Sequence, residues 1–394
     1  MLTTYDVIVV GAGIFGITAA IELRQRQYKV AVLDPGPLPT PLAASTDISK
    51  VIRMEYGSDE MYMIMVEKAL VGWEQWNVEF AEKLYHNTGV TMLTRKPMQP
   101  GEFEYESYQL MLKRNHRPER LTGDDIARRF PAWKPGAFVD GYFHAKGGFA
   151  ESGRVVEVLA QRAQEMGVTL YAEQAVQQVV MENGRIQGVQ TTDGRTFNAS
   201  QVLVAAGVWT PIILPELESV MRATGHPVFY LKTADTTLFK PPHFVVFTAD
   251  ITNSGWYGFP VHPKQDVIKI GNHGVGQLLH PVNDKRTVND ADIRQLRLFL
   301  EATFPTLKDA TITHARRCLY CDTLDEHFWI DRHPHIEGLS VAAGDSGHGF
   351  KFAPILGNLI ADAVTGQPNP WLSKFRWRDL DIATQGEEAA RYHK

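Results

Sequence analysis

Four short stretches of this chain are apolar with hardly a break: Val7–Val10, Lys29–Leu33, Val202–Ala206 and Leu339–Ala343. Runs of four or five such residues fit strands buried on both faces, as in a parallel sheet covered by helices. Ile14–Arg26 has helical spacing, so residues 7–33 read as a strand–helix–strand unit. Gly153–Gly167 reads as a further helix, with strands following over Val168–Ala172 and Val176–Met181. Asn183-Gly184 and Asp193-Gly194 read as hairpin turns. Between Pro227 and Gly274 the period changes to two, with turn residues interspersed, which predicts antiparallel strands. Helical spacing returns over Met61–Leu84, Asp290–Phe304 and Pro354–Val364. The four prolines of Pro35–Pro41 mark a loop.

These elements predict an α/β fold with an interleaved α+β second domain. Segments 1–90, 150–220 and 320–385 are expected to build one discontinuous domain around a parallel sheet. Segments 91–149 and 221–319 are expected to build a second domain on an antiparallel sheet. With 394 residues the chain is long enough for two cores.

Gly11-Ala12-Gly13-Ile14-Phe15-Gly16 joins the first strand to the first helix. In such a turn Gly11 makes the tight bend, Gly13 lets backbone approach a pyrophosphate, and Gly16 lets helix and strand pack closely. The helix start offers free N–H groups and a positive dipole end to phosphate. Asp34 closes the second strand about 18 residues after Gly16, where an acid binds a ribose hydroxyl. The expected architecture is therefore a Rossmann-like dinucleotide domain.

Composition narrows the classes further. A net charge of −5 gives no reason to expect nucleic acid or an acidic membrane surface. Two cysteines in 394 residues form no disulfide framework and no cysteine-rich zinc site, and they point to a reducing compartment. No apolar run reaches the length of a membrane span, and Asp6 interrupts the Tyr5–Val10 run. A cytoplasmic protein without metal is the expectation.

A second glycine motif, Gly344-Asp345-Ser346-Gly347-His348-Gly349-Phe350-Lys351-Phe352, follows the last buried strand and opens a helix. Its N–H groups suit an electron-rich ring edge. A tight strand-to-helix turn is the plainer reading. Upstream lies Cys318-Leu319-Tyr320-Cys321, leading to Asp325-Glu326-His327. With Val204-Ala205-Ala206-Gly207-Val208-Trp209-Thr210-Pro211 and Trp256-Tyr257-Gly258-Phe259-Pro260, these motifs resemble the monomeric sarcosine oxidase family of flavin amine oxidases. That family includes N-methyltryptophan, pipecolate and fructosyl amino acid oxidases. The resemblance runs from residue 5 to about 365.

The resemblance implies an FAD-dependent oxidase of secondary amines that reduces O2 to hydrogen peroxide. It implies FAD bonded covalently through Cys318, with Cys321 structural. FAD contacts are expected at Gly11, Gly13, Ile14, Phe15, Gly16, Asp34, Lys50, Val176, Gly207, Trp209, Gly344, Ser346, Gly347, His348, Gly349, Phe350 and Lys351. Arg53 and Lys351 would grip a substrate carboxylate, a fork and a point charge together. Lys269 would stabilise superoxide as oxygen meets reduced flavin, Lys50 would place a cation near the ring, and Tyr257 and His273 would flank the substrate. Read alone, Lys269 is an outward-pointing lysine of a half-exposed strand, and Tyr257 and His273 are core aromatics.

The segment Thr46-Asp47-Ile48-Ser49-Lys50 departs from the His-Gly-x-(Ser/Thr)-Arg pattern of sarcosine and pipecolate oxidases. It is more similar to fructosyl amino acid and saccharopine oxidases, which implies a bulkier N-substituent on an α-amino acid. The expected partners are a small amino acid substrate and O2, acting on a monomer. A dehydrogenase or demethylase with another electron acceptor stays open, as does a non-catalytic flavoprotein on the same fold.

Overall fold

A computed structural model describes residues 4–393. The core of the molecule is an eight-stranded sheet ordered Val176–Glu182, Arg185–Thr191, Thr196–Val204, Thr4–Val10, Val30–Leu33, Thr169–Tyr171. Leu339–Ala343 also pairs with Thr196–Val204, beyond the segment used by Arg185–Thr191, and Trp329–Arg332, the eighth strand, pairs antiparallel with Leu339–Ala343. Five of its strands run parallel, Leu339–Ala343, Thr196–Val204, Thr4–Val10, Val30–Leu33 and Thr169–Tyr171, with Val10 opposite both Leu33 and Val204. Val30–Leu33 and Leu339–Ala343 are buried at every position, as their continuous apolar sequence requires. Asn183 and Gly184 both take positive φ and close the first hairpin, and Gly194 closes the second.

The helix Ile14–Gln25 is buried almost all round, between this sheet and the helix Ala353–Thr365. Two glycines allow that closeness. A Cβ on Gly16 would lie 1.9 Å from the Gly11 carbonyl oxygen, and one on Gly357 would lie 2.5 Å from that of Thr18. The helix expected over Met61–Leu84 is a single one, Glu60–Glu79, capped by Asp59 accepting from the Tyr62 N–H. It stops early because Asn77 turns its Oδ1 to the N–H groups of Leu84 and Tyr85, and Ala81 takes positive φ.

A second, nine-stranded sheet packs aromatic side chains such as Trp133, Phe247 and Phe304 beneath it. Most of its pairs are antiparallel, as the alternating pattern predicts. One pair corrects that expectation: Val246–Ala249 lies parallel to Val90–Thr94. Both strands are buried at every residue and come from distant parts of the chain, so no hairpin dictates their direction. The longest strand, Thr311–Thr323, pairs with Met221–Lys232 and carries Cys318 opposite His226. Its mixed polar half hid it from pattern reading. Lys50–Ile52 forms a small sheet with Gly148–Ala150 and Tyr85–His86, which sets Lys50 and Arg53 between the two large sheets.

No helix among the described residues is long and apolar enough to cross a membrane, and no metal-ligand cluster is present among them.

Candidate active site

A cleft of about 580 Å³ opens at the C-terminal ends of the parallel strands. Ligands of open α/β sheets bind in this position. Gly11, Gly13, Ile14, Phe15, Asp34, Lys50, Val176, Gly207, Trp209, Gly347 and Phe350 line it. The glycines fit a close-lying dinucleotide. Gly11 has φ +102°, and a Cβ there would meet the Ala205 carbonyl oxygen at 2.5 Å. The helix behind has no acidic residue in its first turn, so its positive end stays free for phosphate. Asp34 is buried at the cleft wall. Burial raises its pKa, while N–H donors of Ala12 (2.8 Å) and Gly36 (3.1 Å) oppose that rise.

The remaining expected cofactor residues stand around the cleft rather than in its wall. Gly16 packs helix on strand. Gly344 and Ser346 shape the turn below, where the Ser346 N–H donates to the Cys321 carbonyl and its Oγ accepts from the Thr323 N–H. A Cβ on Gly349 would strike the Phe15 ring. Cys318 is buried one residue away from the lining pair Leu319 and Tyr320, with the Lys50 ammonium 3.6 Å from its Sγ.

A smaller cavity of about 70 Å³ adjoins the cleft, and Lys50, Tyr320, Gly347 and Phe350 line both. Arg53, Tyr257, His273, His348 and Lys351 also line it, together with Val51, Thr248, Ile251 and Phe259. The structure thus gathers both expected carboxylate-binding cations and both expected flanking aromatics around one space. Lys351 donates to the Tyr56 hydroxyl (2.8 Å) and the His348 carbonyl (3.0 Å). Burial pushes its pKa well down, and Arg53 pushes it further. Two crowded cations in a dry pocket favour an anion between them, because the anion relieves their repulsion and restores the ammonium.

Lys269 is neither outward-pointing nor part of either cavity wall. It is 1% exposed behind the pocket, donating to Asp47 Oδ2 (2.7 Å) and the Ser49 carbonyl (2.6 Å). Burial lowers its pKa to about 8, against the pull of Asp47. Asp47 also receives the Tyr230 hydroxyl at 2.6 Å, with Lys50 at 3.6 Å and Arg316 at 3.7 Å. Burial disfavours the Asp47 carboxylate, but these three cations hold its pKa far below the usual range. Burial likewise opposes the Lys50 ammonium, and Cys318 and Asp47 outweigh it.

Sequence reasoning missed four participants. Asp47 and Asp345 sat inside the quoted motifs without a role. Asp345 lines the cleft, and burial raises its pKa to about 6. Glu388 and Arg391 lie in a segment with no periodicity and no motif. Nothing in the sequence signalled that residues 386–392 return to the pocket.

Three comparisons agree with this geometry. The chain is 25% identical to L-saccharopine oxidase of Schizosaccharomyces pombe, over 96% of this chain and 94% of that protein. It is 27% identical to monomeric sarcosine oxidase of a Bacillus species, over 95% of this chain and 96% of that protein. The solved structure of the fructosamine oxidase Amadoriase II of Aspergillus fumigatus superposes with a TM-score of 0.85 at 26% identity, covering 100% of this chain and 95% of that one. The profile of the DAO family, FAD dependent oxidoreductases, matches residues 6–363. That match spans most of the chain, and the chain belongs to the FAD dependent oxidoreductase family.

Proposed function

We propose that this protein is an FAD-dependent oxidase of secondary amines, acting on N-substituted α-amino acids and passing electrons to O2. The observation that carries this reading is the junction of the two cavities at Lys50, Tyr320, Gly347 and Phe350, with Arg53 and Lys351 in the smaller one. A cofactor in the cleft and a carboxylate in the pocket would meet there. The relatives named for saccharopine, sarcosine and fructosamine oxidation support the same substrate class.

In this reading Gly11, Gly13 and the following helix start hold the pyrophosphate, and Asp34 holds a ribose. Val176, Gly207 and Trp209 wall the cleft. When bound, FAD supplies a two-electron acceptor and thus the redox chemistry. The protein's own residues bind and orient. Arg53 takes the carboxylate as a fork and Lys351 as a point charge, fixing which bond of the α-carbon faces the junction. Tyr257, His273 and Phe259 close the sides and exclude water. Lys50 holds a positive charge at the junction, and Lys269 holds a second one behind it, where oxygen reduction develops negative charge. The imine product leaves and hydrolyses in water.

The reading extends to a cytoplasmic monomer, a domain of segments 1–90, 150–220 and 320–385, and a second domain of 91–149 and 221–319. Lys50 in place of an arginine favours substituents larger than methyl.

Peroxide release in air by the purified yellow protein tests the proposal. The panel holds sarcosine, N-methyltryptophan, pipecolate, proline, saccharopine, fructosyl-valine and fructosyl-lysine. Peroxide is expected with at least one of the bulkier amines. Anaerobic bleaching without peroxide would instead make the protein a dehydrogenase. A flavin that no member bleaches would sink the amino acid reading.

Covalent attachment has a separate test. The Lys50 ammonium, which lines the cleft, stands 3.6 Å from the Cys318 sulfur and so brings that sulfur to the cleft's edge. Acid precipitation of the native protein is expected to leave a yellow pellet, and Cys318→Ser a yellow supernatant. A yellow supernatant from both would show that Cys318 carries no flavin.

A further inference from the structure

The segment Gly386–Tyr392 packs behind the wall of the substrate pocket as a strap, in contact with His273 and Arg53, and its fastening is extensive. Arg391 forks onto Asp322 with contacts of 2.7 and 2.9 Å, reaches Glu326 at 3.1 Å and donates to the Ser346 carbonyl at 2.8 Å. Ala390 is fully buried, in the cluster that holds Met63 and Phe103. The Tyr392 N–H donates to the His273 carbonyl at 3.1 Å. A Cβ on Gly386 would come within 2.4 Å of the Glu326 carboxylate, which would have to move aside.

The Glu388 N–H joins this fastening by donating to Glu326 Oε2 at 3.0 Å, but the side chain does not. Its side chain is 1% exposed and points inward. Its Oε2 lies 3.0 Å from His273 Nε2, and its Oε1 lies 3.4 Å from Arg53 Nη2. Both partners line the pocket, and Glu388 stands behind them. A carboxylate accepts, so the proton of the neutral His273 ring sits on Nε2 and leaves Nδ1 as the acceptor. The contact to Arg53 is longer than the 2.7–2.9 Å of a tight charge-assisted bond. It therefore aims the guanidinium without saturating it. The other Arg53 nitrogen, Nη1, donates to the Glu55 carbonyl, and the fork lies between the rings of Tyr56 and Phe103.

We infer that Glu388 is a positioning residue of the substrate pocket, one carboxylate that orients the Arg53 fork and fixes the proton of His273. The strap thus completes the carboxylate-binding end of the site from a part of the chain far from every recognised motif. The inference rests on the reading of Arg53 as the carboxylate holder.

The groups around His273 set the sign of the pH effect. Burial lowers its pKa, the hydrogen bond and charge of Glu388 raise it, and Arg391 and Arg53 lower it. The His226 and Tyr320 rings face it at 6.2 and 5.8 Å. Removing the Glu388 charge removes a main raising influence. His273 then protonates at lower pH.

The test uses the holoenzyme and three readouts. Glu388→Gln is expected to raise KM about tenfold with kcat changed by less than about threefold. The acid limb of kcat/KM is expected to move down by about one pH unit, with Glu388→Asp restoring part of both. Nitrogen-15 NMR of labelled histidine in the native protein should find the His273 proton on Nε2, with that signal altered in Glu388→Gln. Acetate, read by its perturbation of the flavin spectrum, should bind the variant about tenfold more weakly. An Nδ1-protonated His273 in the native protein overturns the inference without any variant. So does a Glu388→Gln protein that melts lower while acetate affinity, KM and the acid limb stay put. Acetate binding and the NMR signal need no turnover. If both change as expected while no amino acid is oxidised, Glu388 keeps its role and the substrate reading falls.

Discussion

Asp47→Asn is expected to destabilise the protein by about 3–5 kcal/mol, the usual cost of breaking one partner out of a buried ionic cluster. The side chain is fully buried, and Lys269, Lys50 and Arg316 all lean on its negative charge. Asparagine keeps the shape and still accepts from Tyr230, but it leaves three cations with no anion. Repulsion between Lys50 and Lys269 then acts unopposed. Urea unfolding with FAD in excess measures the effect, and a change below about 1 kcal/mol would mean that solvent or another anion already screens the cluster. The same cluster predicts acid behaviour. The folded-state pKa of Asp47 lies below its unfolded value. Its contribution is therefore full above the unfolded pKa of about 3.9 and is lost as pH falls from there toward the folded value.

Lys269→Met is expected to slow reoxidation of the reduced flavin by O2 by about a hundredfold or more, the scale of losing one electrostatic stabiliser. Anaerobic reduction by substrate should change by no more than a few-fold, because Lys269 lines neither cavity. The fold should survive, since Asp47 keeps Lys50 and Arg316. In the native protein the oxygen reaction should weaken as pH rises through about 8, where Lys269 sheds its proton. Mixing anaerobically reduced enzyme with oxygenated buffer reads the rate directly. An unchanged rate with flavin still bound would leave Lys269 as a counter-ion to Asp47 and nothing more.

Much of this frame is written in local patterns. Val7–Val10 and Leu339–Ala343 are apolar because helices cover both faces of the sheet, and that burial is what the sequence displays. The glycines at 11 and 16 are legible because backbone atoms exclude any side chain there. Asn183-Gly184 is legible because a tight turn needs positive φ twice. The parallel match of Val246–Ala249 with Val90–Thr94 is not, since register between distant strands is a property of the whole sheet. Thr311–Thr323 escaped because half of it faces solvent and half faces the core. The Gly386–Tyr392 strap escaped for a deeper reason. It is held by single long-range contacts, Arg391 with Asp322 and the Tyr392 N–H with the His273 carbonyl, and such contacts leave no periodic trace. At the pocket, Arg53 and Lys351 were readable through resemblance, whereas the Asp47 hub emerges only when four separate segments converge.

The cleft is walled at one end by Gly11 and at the other by Asp345. A ribosome adding about 5–20 residues per second makes the second wall roughly 20–70 s after the first. Throughout that interval the nascent chain carries a cradle with no opposite side, so cofactor capture waits for the later segment. The Val202–Val204 edge waits about 7–27 s, at the same rate, for Leu339–Val341. A stalled or truncated chain would present that bare apolar strand to its neighbours, making premature termination a source of aggregates rather than of a smaller working enzyme.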